Sequence, residues 1–108
     1  MRFTKKKDTW IAKVHLDKDD IHVHIMAVAW RQSNWKYDIR VMSTNPKYKL
    51  YLDDKGKELL AGELEGDLQD VFNMIRIHTL EVIKTMQIVC PDGESKGVYK
   101  FSKEEENA

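Results

Sequence analysis

Apolar and polar residues alternate through positions 9–29, TWIAKVHLDKDDIHVHIMAVA, and a period of two marks strands with one buried face. A two-residue turn at Lys18 and Asp19 sets Leu16 against Ile21, Val14 against Val23, Ala12 against Ile25 and Trp10 against Ala27. All eight lie on one face. The same register puts His15 opposite His22, with His24 two residues along on the other face. Alternation resumes over 35–43, WKYDIRVMS, where Trp35, Tyr37, Ile39 and Val41 share a face and Lys36, Asp38, Arg40 and Met42 share the opposite one. A five-residue connection, 30–34, then pairs Ala29 with Trp35, Ala27 with Tyr37, Ile25 with Ile39 and Val23 with Val41, small residues facing large ones. Pro46 interrupts the pattern because it lacks a ladder donor. Residues 48–53 (YKLYLD) read as a fourth strand, 54–57 as a turn and 58–64 (ELLAGEL) as a fifth strand, weakened by Gly62.

At Gly66 and Asp67 the period changes from two to 3.6. Asp67 is a natural N-cap, and Leu68, Val71, Phe72, Ile75, Thr79, Val82, Ile83 and Met86 fall on one helical stripe. A second stripe, Met74, Ile77, Leu80 and Ile88, reads either as a widened buried face or as a contact between two copies of the chain. Residues 85–90 read either as the helix end or as a strand. A turn follows at 90–93, then a short strand at 97–101 that pairs back.

The expected class is α+β: an antiparallel meander of about five strands, a long C-terminal helix on one face, and a short extra strand pair. A single domain spans 1–108, with a basic arm (1–8) and an acidic tail (103–108) as flexible ends. The element order is similar to that of the single-strand-binding Whirly proteins, a likeness of arrangement alone, with no motif of that family matched and no function implied by the fold.

Charge and composition narrow the partner. Eighteen basic and eighteen acidic residues cancel, which argues against bulk affinity for duplex DNA or an anionic membrane. The single cysteine, Cys90, permits no internal disulfide and fits a reducing, cytoplasmic location. No apolar h-region follows the N-terminal basic residues, and no run approaches the roughly 18 apolar residues of a membrane span.

Candidate chemistry concentrates on the face away from the helix. Two histidines at i and i+2 with a third across the ladder (His22, His24 and His15) form a three-nitrogen set of the kind that holds zinc, copper, nickel or iron(II). A flat exposed face supplies no pocket and no orienting partners, so no metal, cofactor or catalytic residue is assigned. Asp17, Asp19, Asp20, Asp53 and Asp54 sit at turns, and no Gly-rich phosphate loop, nucleophile elbow or CxxC occurs. His78 reads as structural.

The leading expectation is a small non-enzymatic binding protein, a regulator or inhibitor. It docks a protein through Met26, Trp30, Lys36, Arg40 and Met42, with Lys49 and Tyr51 added if the fourth strand joins the sheet. The alternative is single-stranded DNA or RNA binding by the same face, using Lys5, Lys6, Lys7, Lys13 and Arg40. A homodimer through the helix is a further expectation.

Overall fold

A computed structural model describes residues 1–101; the acidic tail expected at 103–108 lies outside the described residues. Five strands form the main antiparallel sheet: β1 (Thr4–Lys6), β2 (Thr9–Lys18), β3 (Ile21–Arg31), β4 (Trp35–Ser43) and β6 (Ala61–Leu64), in the order β1-β2-β3-β4-β6. The strand β5 (Lys49–Tyr51) belongs elsewhere. It pairs with β7 (Gln87–Val89), which pairs with β8 (Ser95–Gly97), in a second, three-stranded sheet. Between them stand a short helix, α1 (Asp54–Glu58), and the long helix, α2 (Leu68–Thr85). The architecture is α+β, as the pattern predicts.

The central hairpins keep the predicted faces and shift their register by two residues. Leu16 meets Val23, Val14 meets Ile25, Ala12 meets Ala27 and Trp10 meets Ala29. The turn is Asp19 and Asp20 rather than Lys18 and Asp19, with Asp19 at φ +57°. Aspartate tolerates that left-handed region better than lysine, so the turn settles one residue later. The next connection shortens correspondingly. Arg31, expected in the connection, instead pairs with Trp35, leaving Gln32, Ser33 and Asn34 as the loop, and Ala29 meets Tyr37. A shift of two preserves which side chains face inward, because that assignment alternates with every residue.

Three further expectations are corrected. Residues 54–58 wind into α1, capped by Asp53, whose Oδ1 accepts from the Gly56 amide at 2.7 Å, so only 61–64 remain strand. That strand pairs directly with β4, and Gly62 is accommodated because the Tyr37 ring lies over it, 3.3 Å from where a Cβ would stand. The vacated place in a five-stranded sheet is taken at the other edge by β1, drawn from the segment read as a basic arm. Thr4, Lys5 and Lys6 pair with Ile11, Trp10 and Thr9. Phe3 anchors this edge: its ring stacks on Phe72 at 4.1 Å, nearly parallel, and Arg76 Nε donates to the Met1 carbonyl at 3.1 Å.

The helix begins at Asp67, whose Oδ1 accepts from the Asp70 amide at 2.9 Å. Its buried stripe is Val71, Phe72, Ile75, Thr79, Val82 and Ile83. Thr79 is satisfied internally, its hydroxyl donating to the Ile75 carbonyl at 2.7 Å. This stripe meets the inner face of the sheet in a core that includes Val14, Leu16, Val23, Ile25, Ala27 and Ile39. Residues 87–89 resolve as strand, and Ile88 is fully buried there rather than continuing the helix. The closing strand falls at 95–97, earlier than predicted. A single 3₁₀ turn, Val98–Lys100, then carries Val98 and Phe101 into the core.

Candidate interaction face

With α2 on the inner side, the side chains of opposite parity face away from it. They form rows across the strands: Thr9, Trp30, Lys36 and Glu63; then Ile11, Val28, Asp38 and Ala61; then Lys13, Met26 and Arg40; then His15, His24 and Met42. Asp17 and His22 form the last paired row. Five predicted partner-binding residues therefore share one surface: Met26, Trp30, Lys36, Arg40 and Met42. Lys49 and Tyr51 do not join them. They lie on β5 in the second sheet, because Pro46 and the polar stretch around it turn the chain away before it can add to β4.

The predicted basic arm is likewise divided. Lys5 lies over the Trp10 ring, 5.8 Å from its centre, on the helix side of the sheet. Lys7 occupies the β1–β2 turn at φ +57°. Lys6 and Lys13 remain together with Arg2, Thr4 and Ile11 around a shallow concavity of about 460 Å³. Arg2, Thr4 and Ile11 were not read from the sequence as part of this face. Ile11 carried a usable signal, an apolar residue at a polar position of the alternation.

Several charges on the outer face are partnered locally. Arg40 Nε donates to Asp38 Oδ2 at 3.1 Å, and Lys36 Nζ lies 3.5 Å from Glu63 Oε1. These pairs are partly exposed, which makes them orienting contacts rather than stabilising ones. At the centre, Lys13, His15, His24, Met26, Arg40 and Met42 surround an open depression of about 560 Å³.

The histidines regroup with the register. His15 now faces His24, the two rings meeting edge to face with centres 4.3 Å apart. His22 is drawn aside by Asp17, with its Nδ1 2.7 Å from Asp17 Oδ1. Among the described residues no three His, Cys, Asp or Glu side chains converge as a metal-binding group, so the three-histidine set does not assemble. His78 is on the opposite side, its Nδ1 3.0 Å from the Tyr37 hydroxyl. Burial lowers the His78 pKa below its ordinary value and raises that of Tyr37.

The second helical stripe divides too. Met74, Ile77 and Leu80 are exposed, Ile77 at 55%, while Ile88 has left the helix for the core. No helix among the described residues is long and apolar enough to cross a membrane. Comparisons of the chain with known protein families, with curated proteins and with solved structures give no match, so the similarity of element order noted above adds no support of its own.

Proposed function

We propose that this is a small non-enzymatic binding protein, a regulator or inhibitor, that docks a protein partner through the outer face of its main sheet. One observation carries the reading: Trp30, Val28 and Met26 run down β3 as an apolar column, half-exposed, flanked by Ile11, Met42 and Arg40. Aromatic, Met and Arg side chains in one patch are what interface centres favour. The alternative, single-stranded nucleic acid, draws less support, because Lys5 and Lys7 are not on this face and Trp30 is its only large aromatic side chain among the described residues.

The test is capture from native lysate with the wild-type chain and a Trp30→Ala/Arg40→Ala variant as baits. A nuclease-resistant protein partner should be retained by the wild type and lost with the variant, whose circular dichroism and melting should stay close to wild type. Equal capture by both baits overturns the reading. Nuclease-sensitive capture that falls steeply with salt supports the nucleic-acid alternative.

A second reading rests on a different surface. Asp70, Ile77 and Lys84 are spaced by seven residues, so they line up along the outer side of α2 with Met74 and Leu80 beside them. Acid, apolar, base is a self-complementary order for two antiparallel copies, which supports association through the helix. Sedimentation should then show a concentration-dependent dimer that Ile77→Lys abolishes. A wild-type monomer at high concentration removes the idea.

A further inference from the structure

We infer that the row His15–His24–Met42, with Met26 beside it, is a binding site for a soft monovalent metal ion, cuprous copper. The inference goes beyond the docking reading and stands without it. His15 and His24 are direct cross-strand partners, and Met42 is the partner of His24 on its other side. The imidazole centres are 4.3 Å apart, and their rings stand at 79° to one another. Met26 lines the same depression from the adjacent row. Two strands thus present imidazoles side by side while β3 and β4 bring thioethers to the same opening.

Donor chemistry selects the ion. Neutral imidazole is a ligand for copper and zinc alike, but thioether sulfur favours copper(I) among the biological metals. Zinc in structural sites takes four ligands, commonly thiolates and imidazoles, and no thiolate or carboxylate lines this depression. Charge points the same way. Lys13 and Arg40 stand at the rim, Arg40 already engaged by Asp38. Their repulsion scales with the charge of the ion, so a dication is penalised twice as heavily as a monocation at the same place. His22 is excluded from the ligand set because Asp17 holds it one row away. Binding requires no electron transfer: the ion enters and leaves as copper(I).

The experiment is an anaerobic titration of the full, tag-free chain with copper(I), in competition with a chromophoric copper(I) chelator. The wild type should withdraw a single equivalent from the chelator. His24→Ala should lose that retention, and His22→Ala should keep it. Met42 is 59% exposed, so Met42→Leu leaves the fold intact and isolates the sulfur. That variant should weaken copper(I) binding and leave zinc(II) binding unchanged. X-ray absorption of the loaded wild type should show nitrogen and sulfur neighbours together, with the sulfur contribution reduced in Met42→Leu. The site is overturned if the wild type withdraws no copper, if His24→Ala binds as well as wild type, or if only nitrogen neighbours are seen.

Discussion

Ile25 and Met26 are adjacent in the chain and face opposite ways, and the two faces of the sheet differ as those two residues do. On the inner side, Val23, Ile25, Ala27 and Ala29 of β3 are almost completely buried against α2. On the outer side, His24, Met26, Val28 and Trp30 are only half-covered, by their own neighbours in the rows. A protein needs the first kind of face to fold. The second kind, rich in Met, Trp, Arg and His, is not needed for that, and the docking proposal rests on it.

The sharpest way to break the comparison is to truncate both neighbours. Ile25→Ala should cost roughly 2–5 kcal/mol of folding stability, through lost transfer energy and the cavity left behind. Met26→Ala should cost well under that, about 1 kcal/mol or less for a partly exposed side chain, while reducing capture of the partner. Denaturant titration of the two variants measures the contrast, and equal losses would mean that the outer face is part of the core.

The next effect concerns the edge. Phe3→Ala removes a ring stacked on Phe72 and should cost about 3 kcal/mol, near the low end for buried aromatics because the site is at the sheet margin. Hydrogen exchange should show the amides of β1 released while those of β3 remain protected. If β1 stays protected, its pairing with Trp10 and Ile11 suffices alone.

A smaller effect is tied to pH. Burial holds the folded-state pKa of His78 below its ordinary 6.5, so the unfolded chain takes up the proton first. The associated stability is complete above pH 6.5 and is lost as the pH falls through that value toward the folded pKa. His78→Gln should flatten that part of the stability profile between neutral and mildly acidic pH. An unchanged slope would show that the buried imidazole of His78 does not govern it.

The faces were legible in the sequence, and the rows were not. Alternation decides which residues point inward, and a slip of two leaves that decision intact. The slip still changes which residues stand side by side. It moved the partner of His15 from His22 to His24, paired His22 with Asp17 instead, and so replaced a three-histidine group by a two-histidine row ending in Met42. The turn chemistry that fixes the rows lay in one choice, whether Lys18 or Asp19 opens the turn. Other elements left little trace because they are short. The strands of the second sheet are three residues each, too brief for a period to emerge, and β1 is built from TKK, which no hydrophobic pattern distinguishes from a solvated arm. What recruits it is Phe3, a single residue whose partner lies far along the chain.

That contact also sets an order of events during synthesis. Phe3 leaves the ribosome long before Phe72 exists, so the hairpin of β2 and β3 can close while the margin beside it has no counterpart to hold it. Until α2 emerges, β1 and the Thr9–Ile11 margin of β2 that it covers are held by backbone pairing alone, so this edge of the sheet settles after its centre.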